Sequence, residues 1–171
     1  MEIYGVSFDL VGKTPIVLLK TAEGNRFLPI WIGHPEAAAI LMKLQDAAVP
    51  RPMTHDLATD LVHQLGGEII SITVTELRES TFYASITVRQ DGHEIEIDSR
   101  PSDAIALAIR VDAPIYAADE VIEESALEFD GDEPDEEEMV TQFKQFLDTV
   151  TPEEFALAEE PEEEAGDEPE S

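Results

Sequence analysis

The sequence predicts an α+β fold in which duplicated β-β-β-α units form a mostly antiparallel sheet or half-barrel with packed helices, followed by an acidic helical and disordered tail. Three observations predict it. Strand-like apolar segments come in groups of three, each group ending in a helical segment, over about residues 1–48 and again over about 68–115. Laid on itself at an offset of 67 residues, the chain matches without gaps. Thr14 falls on Thr81, Glu23-Gly24-Asn25 on Gln90-Asp91-Gly92, Glu36 on Asp103, Ala39 on Ala106, and Lys43 on Arg110. Beyond residue 124 the composition turns strongly acidic, which divides a domain over 1–124 from a tail over 125–171.

Each element follows from local pattern. Met1 to Leu10 reads as a first strand on Ile3, Val6, Phe8 and Leu10, and Gly12-Lys13 as a turn. Pro15 to Thr21 is a second strand, with Ile16-Val17-Leu18-Leu19 apolar on both faces. Glu23-Gly24-Asn25 is a hairpin signal, and Arg26 to Ile32 a third strand carrying the only tryptophan, Trp31. Gly33-His34-Pro35-Glu36 breaks that strand, and Ala37 to Ala48 is a helix on the stripe Ile40, Leu41 and Leu44. Pro50-Arg51-Pro52 stops the helix. Thr54 is the expected N-cap of a helix from Asp56 to Leu65, closed by Gly66-Gly67.

Glu68 to Leu77, Thr81 to Arg89 and Glu94 to Asp98 are three further strands. The helix from Ser102 to Val111 is apolar almost all round and so belongs in the core. Ser99 or Ser102 is its expected cap, with Asp103 favourable in the first turn. Pro114-Ile115-Tyr116 is extended, and Ala118 to Glu124 makes one or two helical turns. In the tail, Met139, Val140, Phe143, Phe146, Leu147 and Val150 recur at helical spacing, which predicts an amphipathic helix over about 136–149. Thr151-Pro152 opens a short second helix through Phe155 and Leu157, and the chain after Glu159 is too polar to fold.

The absence of cysteine removes disulfides and thiolate metal sites, and fits a reducing cytosol. No basic start leads into an apolar run, and no stretch approaches the ~20 apolar residues that span a bilayer. The chain therefore reads as soluble and cytoplasmic, with no membrane partner. Its net charge of −29 is uneven. Residues 1–120 carry 18 acids against 9 basic side chains, a balance of −9, and the rest carry 21 acids against Lys144 alone, −20. Binding to nucleic acid works by neutralising phosphates. An acidic chain must do this locally, through a groove of Arg26, Arg51, Arg100 and Arg110 that the tail could cover as a nucleic-acid mimic.

Three polar corners concentrate the groups that chemistry needs. One is Asp98-Ser99-Arg100-Pro101-Ser102-Asp103, one holds His34 and Glu36, and one holds His55 and Asp56. Phosphodiester hydrolysis needs an activated water and stabilisation of charge on phosphorus. Asp98 and Asp103 could hold Mg²⁺ or Mn²⁺ through oxygen. Arg100 or Arg51 could bind phosphate in bidentate fashion, and His55 or His34 could move a proton. Taken singly, these residues suit helix starts and ion pairs better than catalysis. No P-loop, HExxH or GxSxG spacing is present.

The runs Leu28-Pro29-Ile30-Trp31-Ile32-Gly33, Glu36-Ala37, Arg51-Pro52-Met53-Thr54-His55-Asp56-Leu57 and Asp98 through Ala108 together resemble the bifunctional nuclease (BFN) domain family. The resemblance covers about Met1 to Glu124, and the acidic tail resembles that of actinobacterial members. It implies an α+β fold, nuclease activity on RNA and DNA, and a homo-oligomer. The candidate catalytic set is then Asp98, Arg100, Asp103, His55, Asp56, His34 and Glu36, with Asp98 and Asp103 as metal ligands. The alternative is a non-enzymatic interaction or regulatory module, whose corners cap helices and whose tail helix binds a protein partner.

Overall fold

The computed structural model describes residues 1–8 and 14–128. Strands β1 (Glu2–Phe8), β2 (Pro15–Lys20) and β3 (Arg26–Trp31) lead into helices α1 (His34–Leu44) and α2 (Thr54–Gln64). Strands β4 (Gly67–Arg78), β5 (Thr81–Gln90) and β6 (His93–Ser99) follow, then α3 (Pro101–Val111). The short pieces β7 (Ile115–Ala117), α4 (Asp119–Ser125) and β8 (Leu127–Glu128) complete the described chain.

The α+β class is as the sequence predicts, but the strands form two four-stranded sheets rather than one. Their orders are β1-β2-β3-β8 and β6-β5-β4-β7. Every pairing is antiparallel except that of β4 with β7, where Ile72 meets Ile115. Within each meander apolar residues face one another across the strands, such as Val17 with Ile30 and Ile86 with Ile97.

Both sheets turn one face to a shared core. Val17, Leu28, Ile72 and Val74 from the sheets meet Ile40 of α1 and Ala104, Ile105, Ala106 and Ala108 of α3. The alanines let α3 lie close to the strands, so the helix is buried as its sequence predicts. Strand β2 is covered on its other face too, where Ile16, Leu18 and Phe27 pack with Tyr4 and Trp31. Tyr4 meets Phe27 edge-to-face at 5.3 Å.

The helix starts depart from the sequence reading in one consistent way. Thr54 is not a cap: α2 begins on it, Met53 is the N-cap, and Asp56 Oδ2 accepts the Met53 N–H at 2.7 Å. Neither Ser99 nor Ser102 caps α3 through its side chain. Arg100 occupies the N-cap position and Pro101 the first turn, where its lost N–H is harmless, while the Ser99 hydroxyl donates to Arg100 O. For the same reason α1 starts at His34, with Pro35 inside its first turn. The segment Gly33 to Glu36 ends β3 as expected, and its proline also sits in the first turn of α1. The two-residue strand β8 was not anticipated; Arg26 pairs with Glu128 and Phe27 with Leu127. The tail helices lie outside the described residues.

Helix α2 buries no residue fully. Met53, Leu57, Leu61 and Leu65 recur every fourth position and are 48%, 53%, 53% and 72% exposed. Core and ridge should therefore differ sharply on substitution. Ile105→Ala, at a fully buried site, should cost about 2–5 kcal/mol by urea denaturation. Leu61→Gln should shift stability by about 0.5 kcal/mol or less.

Candidate active site: a cleft between three helices

Helices α1, α2 and α3 enclose a cleft of about 550 Å³, whose wall includes Glu36, Lys43, His55, Asp56, Arg100, Asp103 and Arg110. Helical arithmetic places them there. On α1, Glu36, Ala39 and Lys43 stand at i, i+3 and i+7; on α3, Asp103, Ala106 and Arg110 repeat that spacing. Two acid-alanine-base stripes thus face one another, with alanines where the helices approach.

Four of the candidate residues form one chain of contacts. Arg100 donates through Nε to Asp103 Oδ2 at 2.7 Å and through Nη2 to Asp103 Oδ1 at 3.0 Å. Its Nη1 lies 3.1 Å from Glu36 Oε1. His55 Nε2 lies 3.2 Å from Asp103 Oδ1. Burial pushes the Asp103 carboxyl up, but Arg100 and His55 outweigh it and hold it below the ordinary aspartate value. Asp103 in turn raises the pKa of Arg100. A carboxylate only accepts, so Nε2 of a neutral His55 must carry the proton, which leaves the lone pair on Nδ1.

Space for this arrangement depends on Gly33. A Cβ there would collide with Glu36 Oε2, so the carboxylate occupies the volume a side chain would fill. Gly33 has an ordinary φ of −74°, so its role is to leave room rather than to adopt an unusual backbone.

A second contact set lies about two helical turns further along α3. Arg110 donates from Nε to Asp56 Oδ1 at 2.6 Å, from Nη1 to Ala106 O at 2.7 Å and from Nη2 to Ala39 O at 3.2 Å. Its side chain is only 7% exposed. The Met53 N–H, then Arg110, hold the Asp56 carboxyl below its ordinary value against an opposing effect of burial. Asp56 therefore serves α2 capping and the α2–α3 junction together.

The remaining candidates lie elsewhere. Asp98 is exposed on β6 opposite Ser85 and does not line the cleft. Its neighbour Ile97 pairs with buried Ile86, so Asp98 points to the outer face of the sheet. His34 opens α1 from an exposed position off the cleft wall. Of the four arginines expected to form a groove, only Arg100 and Arg110 line the cleft. The residues do not fit a divalent ion at Asp98 and Asp103, because both Asp103 oxygens are engaged by Arg100 and His55 and Asp98 is remote. Among the described residues, no three His, Asp or Glu side chains gather as a metal site. Arg110 is the residue that sequence reasoning underused; its place opposite Asp56 was signalled by its stripe with Asp103 and Ala106.

A model of the bifunctional nuclease domain matches residues 17–130 of the chain. The chain belongs to the bifunctional nuclease domain family. An uncharacterized protein of Mycobacterium tuberculosis is 40% identical over 162 residues, covering 91% of this chain and 96% of that protein. Bifunctional nuclease 1 of Oryza sativa subsp. indica is 27% identical over 103 residues, 58% of this chain and 31% of the rice protein. Bifunctional nuclease 1 of Arabidopsis thaliana is 27% identical over 105 residues, 59% of this chain and 32% of the plant protein. The chain thus spans about a third of the length of these plant relatives. Among the described residues, no helix is long and apolar enough to cross a membrane.

Two consequences for this BFN domain can be measured. Asp56 and Asp103 both titrate lower in the fold than in the unfolded chain. Their contribution to stability is fully present above about pH 4 and is lost as pH falls through the lower folded values. Urea midpoints should drop over that window, and the drop should be smaller in Asp56→Asn. Gly33→Ala should expel the Glu36 carboxylate rather than the backbone, because the carboxylate ends a flexible side chain. The melting temperature should then barely move, while double-mutant coupling between positions 36 and 100 disappears.

Proposed function

We propose that the protein is a phosphodiesterase acting on RNA and DNA, with the three-helix cleft as its active site. The observation that carries this reading is the His55–Asp103–Arg100 chain opening on a cleft within a bifunctional nuclease domain. Asp103 orients His55, and the Nδ1 lone pair takes a proton from a water whose oxygen bonds to phosphorus, while the P–O bond to the leaving sugar oxygen breaks and that oxygen takes a proton from solvent. A guanidinium has five N–H donors, and three of those on Arg100 are engaged by Asp103 and Glu36. Two remain for the nonbridging oxygens of a phosphate. At 65% exposure the guanidinium is open to such a ligand. No step is assigned to a metal, since Asp98 and Asp103 do not converge.

A second reading has its own support. The cleft wall holds the acids Glu36, Asp46, Asp56 and Asp103 against Lys43, Arg100 and Arg110, so it has no excess of positive charge. In that reading the pairs only fasten helices, and the domain is an interaction module.

Labelled single-stranded RNA and DNA incubated with purified protein separate the two. His55→Ala and Asp103→Asn should each lower kcat by about 10²–10⁴. Asp98→Asn should leave it unchanged. Loss of melting temperature with no cleavage by wild type would favour the interaction module. Cleavage abolished by EDTA, restored by Mn²⁺ and sensitive to Asp98→Asn would overturn the assignment of the centre.

A further inference from the structure

A second cavity adjoins the cleft, and Arg100 belongs to the wall of both. It measures about 280 Å³, just below the range of ligand pockets, which run from roughly 300 to 1,000 Å³. It lies between the end of β3, the β4–β5 turn and the first turn of α3. Trp31 and Phe82 are the aromatic residues on its wall, and Ser80, Thr81 and Ser102 the hydroxyl-bearing ones. The geometry points to this cavity as the subsite for one unpaired nucleobase, flanking the phosphate held by Arg100. The inference rests on the phosphodiesterase reading and adds a strand preference to it.

Three features of the cavity select such a ligand. Aromatic walls favour a flat ring, and base–aromatic stacking tolerates any sequence because every base has a π-face. Hydroxyls both donate and accept, which suits the mixed polar edge of a base. The guanidinium at the mouth demands an anion attached to that ring, and a nucleotide joins the two. The β4–β5 turn supplies one wall in a defined conformation. Glu79 and Ser80 both hold left-handed backbone, at φ 47° and 61°, in a two-residue turn that normally calls for asparagine and glycine.

A paired base cannot enter. It would have to leave its stack and swing out of the duplex, which costs free energy that a single strand does not pay. The site therefore prefers single strands, whether RNA or DNA, since nothing in the cavity's chemistry requires a 2′-hydroxyl. An acidic domain can hold such a ligand because the contact relies on one ring and one phosphate rather than on a long run of phosphates.

Trp31 is the only tryptophan of the chain, so its fluorescence reports on this wall directly. The full-length protein is titrated with a single-stranded thymidine hexamer, the same hexamer annealed as a duplex, and a hexamer of abasic sugar-phosphate. The single strand should quench Trp31, and the abasic strand should bind roughly 5- to 150-fold more weakly. Phe82→Ala should weaken binding of the normal hexamer by a similar factor. Because Phe82 also packs against the core, Thr81→Phe, an exposed position on the turn, serves as a second variant that fills the cavity without unfolding the protein. Equal affinity for abasic and normal strands, or binding indifferent to Thr81→Phe, would overturn the subsite. Cleavage whose KM ignores Thr81→Phe would remove the subsite and leave the phosphodiesterase standing. Base-dependent quenching without cleavage would keep the subsite and remove the phosphodiesterase. A protein that binds no single strand at all loses the subsite outright.

Discussion

Helix α3 carries six consecutive apolar residues between Asp103 and Arg110, so its polar contacts are concentrated on two charged side chains about seven residues apart. Both charges are used to hold α2. Asp103 contacts His55 and Arg110 contacts Asp56, adjacent residues that point to different sides of their helix. Seven residues of α3 span about 10.5 Å. Two adjacent positions on α2 can reach both ends of that span only if the start of α2 lies across α3. The crossing opens the cleft, and it needs the core, because a helix buried this deeply offers a fixed frame for both ion pairs.

The fold was legible because burial writes a periodic pattern. The alternation of β4 and β5 and the unbroken apolar run of α3 located those elements to within a few residues. What misled was chemistry at helix starts. Ser99, Ser102 and Thr54 have the side chains that usually cap, yet none caps, because prolines at 35 and 101 pre-form two of the first turns and Asp56 supplies the third. The two sheets were less legible than their strands, since pattern says which residues face inward but not which sheet a strand joins.

At the site, the sequence brought His55, Asp56, Arg100, Asp103 and Glu36 into question by residue type, and all five line one cleft. It could not separate them from Asp98, whose acidity resembles theirs but whose strand position turns it outward. Strand alternation carried that information: Ile95 and Ile97 share a face with buried Val88 and Ile86, so Asp98 must point the other way. Arg110 was harder, because its significance lies in a partner 54 residues distant. Only the matching stripes Glu36-Ala39-Lys43 and Asp103-Ala106-Arg110 hinted that two helices meet there.

Fastening helices and doing chemistry are often treated as rival roles for a charged cluster, yet under the proposed mechanism Asp103 would meet both at once. Its carboxylate must remain ionised to hold Arg100, and because an ionised carboxylate only accepts, a neutral His55 would carry its proton on Nε2 and its lone pair on Nδ1. Burial costs an ion pair its hydration, which further hydrogen bonds must offset, and Arg110 finds these in two helix carbonyls. Here Arg100 stays largely exposed while Arg110, facing a comparable acid, is almost wholly buried. The two arginines therefore divide the work by exposure. Each uses three of its five donors, but those left on Arg110 are enclosed beside Asp56 and two helix carbonyls, whereas those left on Arg100 are open to solvent at the junction of two cavities. That asymmetry between two otherwise similar ion pairs is the physical reason to seek a ligand at Arg100.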